Sequence, residues 1–116
     1  MPAFKPPIGR PSIVCLCGST RFGEAFRKAN LAETMQGKIV LSIGCDLHSD
    51  ETLFADLPPD VLAGIKSALD QLHLRKIDLA DEVLILNVGG YVGESTAREL
   101  AYARERGKFI RSLEVL

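Results

Sequence analysis

The sequence predicts an α/β fold, and two observations carry that prediction. Short apolar runs typical of strands alternate along the chain with longer segments whose apolar residues recur at helical spacing. Two of these runs end in glycine-containing turns that lead directly into a helix. With right-handed crossovers, the resulting βαβαβαβ pattern places about four parallel strands in the order 2-1-3-4, with helices on both faces of the sheet. This arrangement is a Rossmann-like, or flavodoxin-like, domain.

Length and composition limit the possible functions. A chain of 116 residues forms one domain that buries roughly two thirds of the surface its unfolded chain exposes. We assign that domain to residues 12–116 and interpret residues 1–11, with four prolines, as a flexible arm. The net charge of -1 argues against a protein that binds nucleic-acid polymers through basic charge.

The cysteines and the hydropathy pattern indicate a cytoplasmic protein. The chain has three cysteines, Cys15, Cys17 and Cys45, and no two of them form a CxxC motif. Their number is odd, and the chain shows no signal peptide. We therefore expect free thiols in a reducing compartment. No apolar run approaches the roughly 18 residues that a membrane-spanning helix needs, so no membrane role is expected.

The first strand, residues 12–17, leads into a turn made of Gly18, Ser19, Thr20 and Arg21. Backbone amides of such a turn at a helix start can hold an anion, and a guanidinium adds a bidentate donor. The alternative is that a hydroxyl of the turn merely caps the helix at residues 22–36. Two cysteines at period two on the strand are interpreted as small core residues rather than nucleophiles.

The second strand, residues 38–43, is followed by a long polar loop over residues 44–59. Loops of this length in small domains often cover a functional site. Asp46, His48 and Asp50 alternate there as possible metal ligands, but polar residues of a solvated loop need no metal, so no metal site is predicted. His48 is retained as a candidate ligand-binding residue.

A helix over residues 60–79 follows Pro58 and Pro59, which suit a helix start. Asp70 and His73 are three residues apart and share one face of it, either as a surface pair or as part of a site. The helix is expected to bury an apolar stripe formed by Val61, Ile65, Ala68, Leu69 and Leu72.

The third strand, residues 83–86, is the most apolar run and ends at Asn87. The loop at 88–93 contains Gly89, Gly90 and Gly93, which permit positive φ and close approach of a ligand to the backbone. A helix then runs to residue 106 and is followed by a last strand over residues 108–111. Because both glycine turns follow neighbouring strands 1 and 3, they should meet at the topological switch point of the sheet.

The motifs CLCGSTRF at residues 15–22 and ADEVLILN with GESTARELAYA at residues 80–103 resemble the nucleoside 2-deoxyribosyltransferase superfamily. The similarity is closer to its 2'-deoxynucleoside 5'-phosphate N-hydrolase branch. This resemblance implies a Rossmann-like fold, a homo-oligomer and Glu99 as the nucleophile. It also implies that Gly18, Ser19 and Arg21 in the first turn shape the pocket. In the second turn it implies that Gly93 and Ser95 bind the 5'-phosphate.

The chain departs from the family pattern at two positions. His73 stands where the family has a second catalytic aspartate, and Asp70 is the nearest carboxylate on that face. Cys15 stands where the family has an aromatic residue before the CGS turn. A histidine can exchange protons near neutral pH, so His73 and Asp70 both remain candidates for the second catalytic role.

Two functions follow as expectations. The first is an N-glycosidase or deoxyribosyltransferase acting on a nucleoside or a nucleoside 5'-phosphate, without a cofactor. The second is a non-catalytic protein that senses or sequesters a nucleotide-derived signal.

Glu99 also has a structural alternative, because Thr96-x-x-Glu99 matches a capping box. The candidate catalytic residues are Glu99, His73 and Asp70, and the candidate ligand-binding residues are Cys17, Gly18, Ser19, Thr20, Arg21, His48, Asn87, Gly89, Gly90, Gly93, Glu94, Ser95 and Thr96.

Overall fold

The structure, a computed structural model, describes residues 9–44 and 56–116. The strands in this part are β1 (Ile13–Cys17), β2 (Ile39–Leu41), β3 (Glu82–Ile85) and β4 (Phe109–Ser112). The α-helices are α1 (Gly23–Met35), α2 (Pro59–Leu79) and α3 (Glu94–Glu105), and 3-10 turns lie at Thr20–Phe22 and Val88–Gly90. All strand pairs are parallel and their order is β2-β1-β3-β4. The predicted fold class and strand order are confirmed.

The side chains of the two central strands alternate between two apolar layers. Towards α2 and α3 they pack with Ile77, Leu100 and Ala103. Towards α1 they pack with Phe26 and Ala29. Both faces of β1 and β3 are therefore covered, which is why these strands are almost continuously apolar in sequence.

The predicted buried stripe of α2 is wrong. Val61, Leu69 and Leu72 are 44%, 47% and 52% exposed, whereas the buried residues of the helix are His73 and Ile77. A helix of 21 residues is about 32 Å long, while a strand of 5 residues spans only about 17 Å. Since a crossover helix runs antiparallel to the strands, the first half of α2 extends past the carboxyl edge of the sheet.

The amino edge of the sheet holds a network of charged side chains. Glu82, at the start of β3, accepts hydrogen bonds from Ser12 Oγ at 3.0 Å, Lys38 Nζ at 3.2 Å and Arg111 Nε at 2.9 Å. Glu33 of α1 is also buried and pairs with Lys38 and Arg111. These carboxylates are thus paired with the cations of Lys38, just before β2, and Arg111 of β4, as buried charges require.

Several sequence expectations fall on residues that the structure leaves undescribed. Asp46, His48 and Asp50 lie outside the described residues, as does most of the predicted arm. Residues 9–11 of that arm are described, and Arg10 forms an ion pair with Asp81 at 2.9 Å. Within residues 9–44 and 56–116, no helix has the length and apolarity needed to cross a membrane.

Candidate functional site

A cavity of about 860 Å³ opens at the carboxyl ends of β1 and β3, where the sequence predicted the switch point. Its walls come from the turn after β1, from α2 and from the start of α3. Ten predicted site residues line it: Gly18, Ser19, Thr20, Asp70, His73, Gly93, Glu94, Ser95, Thr96 and Glu99. The fold therefore brings both glycine turns and all three candidate catalytic residues to one place.

The first turn packs directly against the end of β3. A Cβ at Gly18 would lie 3.1 Å from Leu86 Cβ and 3.2 Å from its carbonyl oxygen, so the close packing favours glycine here. The hydroxyl of Ser19 accepts a hydrogen bond from the backbone N–H of Arg21 at 3.3 Å. Ser19 thus caps the 3-10 turn at Thr20–Phe22, whereas the N-cap of α1 is Phe22 and has no side-chain cap, so the prediction that a hydroxyl of this turn caps the helix itself is wrong.

The second turn is divided between structural and cavity-lining residues. Gly89 and Gly90 adopt φ of 64° and 82°, which favours glycine, but they do not line the cavity. Buried Asn87 accepts hydrogen bonds from the N–H groups of Leu113 and Glu114 at 3.1 and 3.0 Å. Asn87 therefore holds the backbone after β4, the N–H of Gly90 donates to the Glu114 side chain at 3.2 Å, and none of these three candidates lines the cavity.

The start of α3 faces the cavity with an uncapped backbone. The N-cap is Gly93, which offers no side-chain cap, and Glu94 is the first helical residue. Thr96 is consequently the third residue of the helix and Glu99 the sixth. A capping box joins the N-cap to the third residue, so the capping-box interpretation of Thr96 and Glu99 is wrong.

Tyr91 links the two turns at the mouth of the cavity. The Arg21 guanidinium carbon lies 4.6 Å from the centroid of its ring, and the Phe22 ring meets it edge-on at 5.9 Å. Tyr91 lines the cavity and is 43% exposed. Sequence reasoning missed it, although it is the single aromatic residue in the second glycine loop.

Glu99 is a nearly buried carboxylate on the cavity wall, with 12% of its side chain exposed. Burial raises the pKa of Glu99 to about 7, although the neighbouring charge of His73 acts in the opposite direction. The charges of Cys15 and Asp70 also raise it. Near neutral pH both the protonated and the ionised form of this carboxyl group are therefore populated.

His73 lies below Glu99 and is 6% exposed, so the surface-pair interpretation of Asp70 and His73 is wrong. Its Nε2 atom is 4.0 Å from Glu99 Oε1, 3.4 Å from Cys17 Sγ and 3.6 Å from Cys15 Sγ. Burial opposes its protonation, but its hydrogen bond to Cys15 and the nearby negative charges raise the pKa of His73 overall. Asp70 is instead half exposed, 3.7 Å from Arg98.

The two cysteines of β1 belong to the apolar core, as predicted, and they also hold the histidine. Hydrogen bonding with Cys17 outweighs burial and lowers the pKa of Cys15 to about 6. The same hydrogen bond and burial raise the pKa of Cys17. Cys17 is completely buried and does not line the cavity, but its side chain contacts two residues of the cavity wall, His73 and Glu99.

Comparisons of the chain with protein-family models, with curated proteins and with solved structures found no match. The resemblance to the nucleoside 2-deoxyribosyltransferase superfamily therefore stays a prediction from the two sequence motifs. Any functional conclusion depends on those motifs together with the geometry of the cavity.

Proposed function

We propose that the protein is an N-glycosidase or deoxyribosyltransferase that acts on a nucleoside or nucleoside 5'-phosphate, with Glu99 as its nucleophile. One observation carries the proposal. A nearly buried carboxylate stands on the wall of a cavity that both glycine turns also line, at the carboxyl ends of β1 and β3. A cavity of about 860 Å³ is in the size range of sites for small molecules.

The chemistry suits a nearly buried carboxylate on a cavity wall. Cleavage of an N-glycosidic bond passes through an oxocarbenium-like state, whose positive charge a carboxylate stabilises or traps covalently. In the proposed reaction, Glu99 forms a bond to C1' as the bond from C1' to the base nitrogen breaks, and the departing base takes up a proton. Water then releases the sugar, or a second base accepts it.

The two other candidate residues take different roles in this proposal. His73 directs Nε2 towards the thiols and Glu99, so we assign it the role of a positioning residue whose positive charge favours the ionised form of Glu99. Asp70 lines the cavity and is open to water. We assign to Asp70 the proton exchange with the leaving base.

The recognition of a 5'-phosphate is proposed at the start of α3. The N-cap Gly93 provides no capping side chain, and the amides of the first turn lie at the positive end of the helix dipole. Arg21, held over Tyr91, supplies a cation near the mouth of the cavity. The homo-oligomer expected from the family resemblance stays a prediction.

A second candidate function is non-catalytic binding of a nucleotide-derived signal. It is favoured by the environment of His73, which stands where the family resemblance implies a second aspartate but is 6% exposed, with Nε2 3.6 and 3.4 Å from the thiols of Cys15 and Cys17. The same cavity would then hold a nucleotide without cleaving it. Turnover separates the two candidates.

Product analysis tests the proposal. The protein is incubated with deoxynucleoside and ribonucleoside 5'-monophosphates and their parent nucleosides, and free base is quantified by chromatography. We expect release of base from at least one deoxynucleotide and tighter binding of the phosphorylated form in calorimetry. Tight binding without release of base from any compound would support the second candidate, and neither binding nor release would reject both.

A further inference from the structure

Three metal-ligating side chains meet beneath the cavity wall. Cys15 and Cys17 lie two residues apart on the side of β1 that faces α2, and His73 of α2 reaches both of them. The two Sγ atoms and the histidine nitrogen all lie within 4.8 Å of one another. The sequence did not reveal this cluster, because His73 is 56 residues from the nearer cysteine.

The distances fit a tetrahedral metal centre. With metal–sulfur and metal–nitrogen bonds of about 2.3 and 2.05 Å, neighbouring sulfur and nitrogen ligands are about 3.6 Å apart. The observed separations are 3.6 and 3.4 Å. Glu99 is the candidate for the fourth ligand, because its Oε1 lies 4.0 Å from Nε2 and its side chain is hydrogen-bonded to Cys17. Nitrogen and oxygen ligands of a tetrahedral ion are about 3.4 Å apart, so a small side-chain movement completes the set.

We propose that Cys15, Cys17, His73 and Glu99 bind one thiophilic divalent cation, with Zn²⁺ as the best fit. Thiolate and imidazole ligands in tetrahedral geometry select Zn²⁺ over hard cations such as Mg²⁺. On binding, any protonated thiol releases its proton, the imidazole coordinates through Nε2 in its neutral form, and Glu99 coordinates as a carboxylate. The ion reaches the site from the cavity, which Glu99 and His73 line.

Metal binding has a consequence for catalysis that rests on the proposed function. A bound cation occupies the Glu99 carboxylate and the Nε2 atom of His73, so the nucleophile and its partner are both removed from the reaction. The cation therefore acts as an inhibitor of base release, and a chelator restores activity. The binding of the metal itself does not depend on the protein being an enzyme.

Cobalt substitution gives a direct optical test. Metal-free protein is titrated with Co²⁺ under reducing conditions, and we expect one equivalent to produce the thiolate-to-cobalt charge-transfer band and the intense visible bands of tetrahedral cobalt. Excess Zn²⁺ should abolish both. In parallel, the ¹¹³Cd NMR shift of the wild-type protein should indicate two sulfur ligands. Absence of a thiolate band at stoichiometric Co²⁺, or a cadmium shift of a sulfur-free site, would overturn the proposal.

Matched cysteine variants locate the ligands. Loss of a residue that only contacts a metal ligand lowers metal affinity by about 10–100-fold. Because Cys15 and Cys17 are proposed as ligands themselves, Cys15→Ser and Cys17→Ser should each lower the affinity for Co²⁺ by more than this. Cys45→Ser, whose position lies outside the described residues, is the control and should bind normally. Circular dichroism checks that each variant is folded. Wild-type affinity in both β1 variants, or loss of the band in Cys45→Ser alone, would contradict the assignment.

The outcomes separate the metal proposal from the proposed function. A cobalt band without release of base from any nucleotide would leave the metal site standing and reject the glycosidase. Release of base that is insensitive to Zn²⁺, from a protein that shows no cobalt band, would reject the metal site alone.

Discussion

At the residue scale, the site depends on where one carboxylate is placed rather than on its chemical type. Glu94 and Glu99 lie on the same helix and line the same cavity, yet Glu94 is exposed whereas Glu99 is nearly buried. Burial raises the pKa of Glu99 to about 7. Five residues along one helix thus separate an exposed carboxylate from a nearly buried one with a raised pKa, as is typical of functional sites.

The raised pKa of Glu99 predicts how stability depends on pH in metal-free protein. The folded protein keeps this proton up to pH about 7, whereas the unfolded chain loses it near 4.5. Because the folded state binds more protons in this window, we expect the free energy of unfolding to fall as pH rises from 4.5 to 7. The contribution of Glu99 is at most about 3 kcal/mol.

Urea unfolding in the presence of a chelator measures this dependence. Glu99→Gln has no titrating proton at this position, so its stability should change less between these two pH values than that of the wild type. Identical pH dependence in the two proteins would show that Glu99 does not titrate as proposed.

Tyr91 is the residue at which the structure adds most to the sequence motifs. Tyr91→Phe keeps a ring over Arg21 and against Phe22, whereas Tyr91→Ala removes it. Cation–π contacts contribute about 0.5–2 kcal/mol. Without the ring, Arg21 is no longer held near the cavity for the proposed phosphate contact. We therefore expect Tyr91→Ala to weaken nucleotide binding by about tenfold and Tyr91→Phe to bind nearly as the wild type, measured by calorimetry. Equal losses in both variants would assign the effect to the hydroxyl group instead.

Some site residues were predictable from local sequence and others were not. Gly18, Ser19 and Gly93 belong to glycine turns directly after apolar strands, so local patterns were sufficient to place them. The contact of His73 with the β1 thiols depends on how α2 is rotated against the sheet. Helical spacing identifies an apolar stripe but not what the stripe contacts. In α2, Leu69 and Leu72 are exposed and line the cavity, so the stripe was wrongly predicted to be buried.

At the element scale, β4 is tied to the rest of the sheet by charge as well as by backbone pairing. Arg111 of β4 pairs with Glu33 of α1 and Glu82 of β3, whose side chains are 10% and 11% exposed. These contacts lower the pKa of Glu82 despite its burial and raise that of Arg111. The network therefore joins α1, β3 and β4 at the edge opposite the cavity.

Removing the guanidinium of Arg111 from this network should lower the free energy of unfolding. Arg111→Met leaves two buried carboxylates that keep the cation of Lys38 and, at Glu82, the hydrogen bond from Ser12, and we expect the free energy of unfolding in urea to fall by about 3 kcal/mol. Arg10→Met is the control, because its ion pair with Asp81 is exposed and should contribute little. Similar losses for the two variants would contradict a special role for the network.

At the scale of the whole molecule, the fold was predictable because many local signals agree. Four apolar runs, two glycine turns and the handedness of crossovers each indicated the same strand order, so errors of a few residues at element ends did not matter. β2, for example, covers Ile39–Leu41 rather than residues 38–43. The site lacked this redundancy, because separations such as the 4.0 Å between His73 and Glu99 arise only from tertiary packing.

The most direct test of the central claim is the turnover of Glu99→Gln. Glutamine keeps the size of the side chain but can neither stabilise an oxocarbenium charge nor form the glycosyl intermediate. We expect release of base from the best deoxynucleotide to fall by several orders of magnitude, with nucleotide binding retained. Glu105→Gln, an exposed change on the same helix that does not line this cavity, should have wild-type turnover. If Glu99→Gln releases base as fast as the wild type, Glu99 is not the nucleophile.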